Sequence, residues 1–166
     1  VRDPRDVCYT CYAATGRGRT ACVRNVLARN TALLREAAAE GVDAVVHLAA
    51  DPTGYADRGR EIMQINVVGT YVVCDAARMA GVKRVFCASS INAYGTFYWR
   101  LSGKPAPYTA LPLDESFAPV PEDPYSLSKR CNEETCAAFT RAYGLTTAAF
   151  RFAGVWSQER YETLRR

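Results

Sequence analysis

The chain has 166 residues, which is the length of one domain, so the sequence excludes an assembly of several domains. Its 49% hydrophobic and 23% charged residues are typical of a globular protein rather than a disordered or fibrous one. The net charge of +4 lies mostly in residues 1–40, which hold seven Arg and four acids, whereas residues 41–166 hold 14 basic and 13 acidic residues. This nearly neutral body lacks the basic stripe of a nucleic-acid-binding surface, so we expect no nucleic-acid partner.

The cysteines and the single histidine do not indicate a metal site. The seven cysteines are scattered along the chain, which is typical of reduced thiols in a cytoplasmic protein. Cys8 and Cys11 form a CxxC pair without a second pair, and His47 lies at the end of an apolar run. No apolar run is long enough for a membrane span or for the core of a signal peptide. We therefore expect a cytoplasmic protein with no bound metal and no membrane contact.

The N-terminal part differs from the rest of the chain. Residues 1–30 are rich in Arg, Cys and Thr with weak periodicity, which predicts an irregular segment. Residues 31–40 (TALLREAAAE) predict a helix that ends at Gly41. Residues 43–50 (DAVVHLAA) form a continuous apolar run with valines, which is typical of a buried parallel strand. The sequence thus predicts an irregular segment, 1–30, followed by one folded domain, 31–166.

A helix, a strand and a loop follow. Apolar residues recur at spacings of three and four between residues 58 and 80, which predicts a helix with one buried face. Residues 83–88 (KRVFCA) predict a second buried strand. Six prolines between Lys104 and Tyr125 then predict a long loop, because proline lacks a backbone donor.

The remainder of the chain repeats the alternation. Residues 124–143 predict a helix with proline in its first turn, and residues 145–152 predict a third strand. A further helix is expected after Val155. Strands that alternate with helices at this spacing predict an α/β fold, in which a parallel sheet is covered by helices on both faces.

The spacing that is most informative about chemistry joins Tyr125 and Lys129. Residues four apart on a helix share a face, so the phenol and the ammonium project into the same cleft. A nearby ammonium favours the phenolate, which would let Tyr125 act as an acid or base near neutral pH. The structural alternative is an exposed helix pair. The pair lies at the start of a helix, after a strand that ends in Ser89 and Ser90, and this edge of an α/β sheet binds ligands.

With these motifs in order, the sequence resembles the extended short-chain dehydrogenase/reductase family, the NAD(P)-dependent epimerases and dehydratases that act mostly on sugars and nucleotide sugars. The resemblance covers about residues 41–156. It rests on GVDAVVHLAA at 41–50, INVVGTYVVCDAARMAGVKRVFCASS at 65–90, INAYG at 91–95, PYSLSK at 124–129 and RFAGV at 151–155. The resemblance implies a partial Rossmann-like fold, with a doubly wound parallel sheet.

The resemblance also implies a catalytic triad of Ser90, Tyr125 and Lys129. In such enzymes the tyrosine exchanges the proton of the reacting hydroxyl or carbonyl, while the nicotinamide takes or gives hydride. Ser90 would hydrogen-bond the same oxygen. Lys129 would hold the nicotinamide ribose and lower the pKa of Tyr125.

Contacts with the implied cofactor, NAD or NADP, fall on eight positions. These are Leu48, Ala49 and Ala50 beside the adenosine half, Asn66 and Ser89 nearby, Phe152 and Ala153 near the nicotinamide, and Lys129 at the ribose. Structural alternatives remain for these positions, because the apolar residues also fit a core. Ser89 also fits the cap of a strand, and Asn66 also fits as a partner for buried backbone groups.

The sequence departs from the family at both ends. The family begins with a strand and a GxxGxxG turn that binds pyrophosphate at a helix N-terminus, whereas residues 16–21 (GRGRTA) fit only a GxGxxA pattern. Too few residues precede the HLAA strand for the further strands that the family needs, and the chain stops soon after RFAGV. We therefore expect the central piece of a longer enzyme. Its N-terminal segment is either a weak phosphate loop or unrelated to the family.

An insertion at about residues 96–108, rich in aromatic residues, separates Ser90 from Tyr125. It either covers a substrate or packs on the sheet.

The sequence as a whole predicts an NAD(P)-dependent epimerase, dehydratase or dehydrogenase acting on a sugar or nucleotide sugar. The alternative is a catalytically inactive remnant or an NAD(P)-binding interaction module, which the missing glycine-rich turn favours. A serine hydrolase is excluded, because there is no GxSxG motif. A homodimer is expected through the helices near 58–80 and 124–143, with apolar surface from Val72, Val73, Cys136 and Phe139.

Overall fold

Five strands form one sheet in the computed structural model, which describes residues 11–15, 20–23, 39, 41–54, 56–96, 102–108, 110–155 and 157–165. The strands are β1 (Cys11–Thr15), β2 (Thr20–Val23), β3 (Val42–His47), β4 (Arg84–Ser90) and β5 (Thr146–Phe152). Their order in the sheet is β2, β1, β3, β4, β5. Strands β3, β4 and β5 are parallel, which confirms the α/β fold class.

The N-terminal strands depart from the expected pattern. Strand β1 runs antiparallel to β3, and β2 runs antiparallel to β1. Both lie within residues 1–30, for which the sequence predicts irregular structure. The edge of β3 offers unpaired backbone groups, and pairing with such an edge overrides weak local preferences. The helix predicted over 31–40 lies outside the described residues apart from Ala39, which is helical.

The helix predicted over 58–80 is confirmed as one nearly continuous helical rod. It begins with a 3-10 turn at Ala56–Arg58 and continues as α1 (Gly59–Met63), a π-helical turn (Gln64–Val68) and α2 (Gly69–Ala80). Gly81 ends it with φ at 78°, the left-handed conformation that glycine adopts without a steric penalty.

Helix α3 (Pro124–Tyr143) and helix α4 (Gln158–Leu164) complete the described elements. Asp123 caps α3, because its carboxylate accepts a hydrogen bond from the Ser126 backbone N–H at 2.9 Å. The proline at the first helical position has no N–H to leave unsatisfied. Among the described helices, none has the length and apolar character needed to cross a membrane.

Helices α2 and α3 pack on one face of the parallel strands. The core between them contains Val45, Val73, Val85, Phe139 and Leu145, together with the buried thiols of Cys74, Cys87 and Cys136. The opposite face of the sheet is open in the described part of the chain. There, Phe150 is 48% exposed and Phe152 is 45% exposed. The sequence predicts helices on both faces of the sheet. Among the described residues, helices cover one face.

Part of the aromatic insertion packs beside the sheet. The Tyr108 ring lies between Tyr94 and Phe117, with centroid distances of 5.9 and 5.6 Å. Tyr108 Oη donates a hydrogen bond to the Ala118 carbonyl at 3.1 Å, and Tyr94 Oη donates one to the Asp114 carbonyl at 2.7 Å. These contacts favour the packing alternative for this part of the insertion. Residues 97–101 lie outside the described residues.

Candidate active site

Ser90 is the last residue of β4 and lies at the carboxyl edge of the parallel strands. Its side-chain oxygen accepts a hydrogen bond from the Asn92 backbone N–H at 3.2 Å, which caps the 3-10 turn Ile91–Tyr94. The side chain is nearly buried, at 7% exposure. The end of β4 and this turn therefore fix the position of the Ser90 hydroxyl.

Tyr125 is half-buried in the first turn of α3. Burial raises the pKa of Tyr125, a hydrogen bond with the Ser90 hydroxyl lowers it in part, and the Asp123 carboxylate raises it further. The net effect is a pKa above the ordinary value of about 10, so the phenol is protonated near neutral pH.

Lys129 follows one helical turn after Tyr125 and is buried, at 3% exposure. Its Nζ donates a hydrogen bond to the Ala88 carbonyl of β4 at 2.7 Å and lies 5.5 Å from the centre of the Tyr125 ring. Burial lowers the pKa of Lys129. Because the pKa of Tyr125 is raised in this structure, the expected lowering by Lys129 is not observed here.

The structure thus brings the three residues of the implied triad together. The Ser90 hydroxyl lies close enough to the Tyr125 phenol to lower its pKa, and Lys129 reaches the same strand two residues before Ser90. A hydroxyl, a phenol and an ammonium converge at the carboxyl edge, which is where parallel α/β sheets bind ligands. This group can donate and accept protons at an oxygen held between Ser90 and Tyr125.

Four of the implied cofactor positions lie at the same edge and are accessible. Leu48 follows β3 and is 42% exposed, while Phe152 ends β5 and is 45% exposed. Both line a shallow apolar depression of about 210 Å³ on the open face of the sheet. Ala50 is half-buried and Ala153 is exposed. Ala49, in contrast, is buried in the core.

Asn66 is fully buried, and its amide bonds to protein groups. Its oxygen accepts a hydrogen bond from the Asp51 backbone N–H at 2.7 Å, and its nitrogen donates to the Asp51 carbonyl at 3.0 Å and to Ser128 Oγ at 2.8 Å. Ser128 Oγ in turn donates to the Tyr125 carbonyl at 2.7 Å. These contacts tie the loop after β3 to the first turn of α3. They favour the structural alternative for Asn66, because the oxygen and the nitrogen of its amide both bond to protein groups.

Ser89 also has a protein partner, because its hydroxyl donates to Glu133 Oε1 at 2.6 Å. Glu133 is the residue that sequence reasoning missed. Arg151 forms a bidentate ion pair with the Glu133 carboxylate, with Nε 2.8 Å from Oε1 and Nη2 2.8 Å from Oε2. One pattern in the sequence points to it: Glu133 comes four residues after Lys129 and eight after Tyr125, on the same helix face. No local pattern identifies Arg151 as its partner.

The described residues fit the nicotinamide half of the implied cofactor better than the pyrophosphate half. Residues 16–19 of the GRGRTA segment lie outside the described residues, and Thr20–Val23, which follow them, form β2. A phosphate-binding turn instead leads into a helix N-terminus, whose backbone N–H groups bind the anion. The hydroxyl, phenol and ammonium groups at the carboxyl edge of β4 have the chemistry that the nicotinamide ribose and the reacting oxygen require.

Comparison with known proteins identifies the family. The model of the NAD dependent epimerase/dehydratase family matches residues 9–165. The chain belongs to this family. The match extends the resemblance, which the sequence motifs limit to about residues 41–156, into the N-terminal segment.

Individual members of the NAD-dependent epimerase/dehydratase family are moderately similar. The chain is 34% identical over 122 residues to GDP-mannose 3,5-epimerase of Arabidopsis thaliana, which covers 70% of this chain and 31% of the relative. It is 31% identical over 119 residues to uronate dehydrogenase of Pseudomonas putida, covering 72% of this chain and 40% of the relative.

A solved structure agrees with the fold. UDP-glucose 4-epimerase from Brucella ovis, in complex with NAD, superposes with a TM-score of 0.65 at 28% identity and covers 78% of this chain and 37% of that chain. The chain therefore spans about a third of the length of the relatives that it matches.

Proposed function

We propose that this chain contributes the acid/base part of an NAD(P)-dependent epimerase, dehydratase or dehydrogenase that acts on a sugar or nucleotide sugar. The observation that supports this most directly is the convergence of Ser90, Tyr125 and Lys129 at the carboxyl edge of β4. The substrate class follows from the relatives, whose names include a GDP-mannose epimerase and a uronate dehydrogenase. Membership of the family makes NAD or NADP the cofactor of this proposal.

In the proposed mechanism Tyr125 exchanges a proton with the oxygen at the reacting carbon. Because its pKa is raised, Tyr125 enters the reaction protonated near neutral pH and donates to the oxygen of a carbonyl that is being reduced. In the direction of oxidation the phenolate accepts the hydroxyl proton. Ser90 hydrogen-bonds the same oxygen and stabilises the charge that develops on it. The bound nicotinamide supplies the hydride chemistry.

The residues that would hold the cofactor are the buried Lys129 and the accessible residues at this edge. Lys129 has three N–H donors, and one of them bonds to the Ala88 carbonyl, so the ammonium can also donate to ribose hydroxyls. Leu48 and Phe152 offer apolar surface on either side of β4, with Ala50 and Ala153 next to them in the chain.

The test compares Tyr125→Phe with Tyr143→Phe, a change at the exposed far end of the same helix. Both variants are made in a protein that carries this chain between the flanking segments of a relative, and sugar-dependent NAD reduction is measured. Tyr125→Phe is expected to lower turnover by about 100-fold or more, because the acid/base group is lost while packing is kept. Tyr143→Phe is expected to retain turnover. Full activity of Tyr125→Phe would rule out the proposed mechanism.

A second candidate function is NAD(P) binding without turnover, in a remnant or an interaction module. The antiparallel hairpin formed by β1 and β2 favours this candidate, because Thr20–Val23 are extended where the GxGxxA pattern at 16–21 would begin a helix. It differs from the first in one measurable respect. A protein of this kind would show no turnover with any flanking segments, and Tyr125→Phe would leave its cofactor affinity unchanged.

We also propose that the complete protein is a homodimer paired through the outer faces of α2 and α3. The structure corrects the residues expected at this surface, since Val73, Cys136 and Phe139 lie in the core. The exposed apolar residues are instead Val68, Tyr71, Met79, Leu127 and Tyr143. Light scattering is expected to give twice the chain mass. Tyr71→Glu is expected to restore the monomer, because it places a charge in the apolar patch. A monomer before substitution would refute the proposal.

A further inference from the structure

We propose that Glu133 is a positioning residue, which holds the end of β4 against α3 so that Ser90 stays within hydrogen-bond reach of Tyr125. This inference rests on the proposed function, because Ser90 and Tyr125 are the groups that it places. Glu133 touches neither of them, and its effect is transmitted through Ser89.

The Glu133 carboxylate joins three elements. Helix α3 carries it, Ser89 of β4 donates to its Oε1 at 2.6 Å, and Arg151 of β5 donates to both of its oxygens at 2.8 Å. Arg130 adds a contact to Oε2 at 3.2 Å. The side chains of Glu133 and Arg151 are 11% and 17% exposed, so these charged groups depend on one another. The end of β4 is thereby attached to the helix that carries Tyr125.

Ser89 can control Ser90 because the two residues are adjacent at the end of β4. The Ser89 side chain faces α3, where it bonds to Glu133, and Ser90 is the next and last residue of the strand. Ser89 is paired in register with Arg151, and Ser90 with Phe152. Fixing the Ser89 side chain at Glu133 therefore fixes the rotation of the strand end, and that rotation sets the direction of the Ser90 hydroxyl.

The helix geometry completes the link. Tyr125, Lys129 and Glu133 follow at intervals of four residues, so they form one row along the face of α3 that meets β4. Lys129 bonds to the Ala88 carbonyl, and Glu133 bonds to the Ser89 hydroxyl. Two successive turns of the helix thus bind two successive residues of the strand, immediately before Ser90.

Arg151 extends the arrangement to the turn that follows Ser90. Its guanidinium carbon lies 4.4 Å from the centre of the Tyr94 ring, a cation–π contact. Tyr94 belongs to the turn Ile91–Tyr94, whose first N–H groups include the one that Ser90 accepts. The Glu133 and Arg151 pair therefore restrains both chain neighbours of Ser90, which are Ser89 before it and the turn Ile91–Tyr94 after it.

The consequence for chemistry is a change at Tyr125. The hydrogen bond from Ser90 lowers the pKa of Tyr125 against the effect of burial. If Glu133 releases Ser89, Ser90 moves away and the pKa of Tyr125 rises. Loss of the negative charge of Glu133 would, by itself, lower that pKa, because the phenolate would meet less repulsion. The sign of the change therefore separates positioning from simple electrostatics.

The test measures the pKa of Tyr125 by NMR, in the 166-residue chain labelled with carbon-13 at the phenolic carbon of tyrosine. Tyr125→Phe assigns the resonance. Glu133→Gln is compared with Glu134→Gln, a matched control, because Glu134 is exposed and pairs only with Arg130 among the contacts of the described residues. We expect the pKa to rise by about one unit in Glu133→Gln and to stay unchanged in Glu134→Gln.

A double-mutant cycle with Ser90→Ala tests the route of the effect. In the Ser90→Ala background, Glu133→Gln is expected to cause no further rise in the pKa of Tyr125. If Glu133→Gln does not fold, as judged by circular dichroism, Ser89→Ala replaces it, because that change removes the strand contact and keeps the ion pair with Arg151. Ser89→Ala is expected to raise the pKa in the same direction.

In a protein completed by the flanking segments of a relative, Glu133→Gln is expected to lower kcat for sugar oxidation near neutral pH about tenfold, with a smaller change in KM. An unchanged or lowered pKa of Tyr125 in both Glu133→Gln and Ser89→Ala would overturn the positioning role. This outcome is distinct from failure of the proposed function, which is judged by the turnover of Tyr125→Phe and does not depend on Glu133.

Discussion

The two ends of the sheet are built differently. From β3 to β5 the strands are parallel, and polar contacts attach β4 and β5 to α3. On the other side of β3, the strands β1 and β2 form an antiparallel hairpin. The parallel part places Ser90, Tyr125 and Lys129 together, whereas the hairpin lies at the opposite edge of the sheet.

The three residues of the proposed triad are positioned without help from the hairpin, as their contacts show. The contacts that fix Ser90, Tyr125 and Lys129 come from β4, β5 and α3. None of the contacts described for these three residues involves β1 or β2. If the proposed function holds, loss of cofactor anchoring would leave the positions of Ser90, Tyr125 and Lys129 unchanged, and we expect this chain to bind the cofactor weakly.

The largest expected effect concerns cofactor affinity. The 166-residue chain is expected to bind NAD and NADP weakly, because Thr20–Val23 form a strand where a helix N-terminus would bind the pyrophosphate. Replacing residues 1–40 with the strand, GxxGxxG turn and helix of a relative is expected to strengthen binding by about 100-fold, or about 2.7 kcal/mol. Isothermal titration calorimetry measures both proteins.

The same graft with the turn glycines changed to alanine serves as the control. A Cβ at those positions blocks the close approach of the backbone to the phosphates, so this protein should bind as weakly as the original chain. Micromolar affinity of the original chain for either cofactor would contradict this prediction, since the N-terminal segment would then build a phosphate site of its own.

A smaller effect is expected at His47, on the strand that the two regions share. His47 is buried against Thr70, with Nε2 3.1 Å from Oγ1, and burial followed by the charge of Lys129 lowers its pKa to about 3. In the unfolded chain His47 binds a proton near pH 6.5, whereas in the folded chain this side chain stays neutral until about pH 3. Burial of neutral His47 therefore costs no free energy of unfolding above pH 6.5, and the free energy of unfolding falls as the pH is lowered from there.

Between pH 6.5 and 4.5 this loss amounts to about 2 kcal/mol in the free energy of unfolding. His47→Gln keeps an amide that can bond to Thr70 and removes the titration. Urea unfolding at the two pH values is expected to show a smaller loss in the variant, and His47 is the only histidine, so the difference has one source. Equal pH dependence in both proteins would mean that His47 already titrates normally in the folded state.

Elements with strong periodicity were predictable from the sequence. The run at 43–50, the apolar spacing over 58–80 and the proline at 124 each correspond to an observed strand or helix, with ends that differ by a few residues. These patterns are local, since burial of one helix face or of a whole strand leaves a repeat in the sequence. The hairpin in residues 1–30 was missed because its pairing depends on β3, which comes almost twenty residues later in the chain.

Short motifs and apolar periodicity in the sequence were enough to predict the family and the alternation of parallel strands with helices, and the same motifs suggested the three residues of the proposed triad. The partners of the polar side chains depend instead on the tertiary fold. Asn66 bonds to Ser128, 62 residues away, and Ser89 bonds to Glu133, 44 residues away. A buried polar group must find a partner wherever the fold supplies one, and residues this far apart leave no repeat in the sequence to reveal it. For the same reason the direction of β1 and the restraint on Ser90 became visible only in the folded chain.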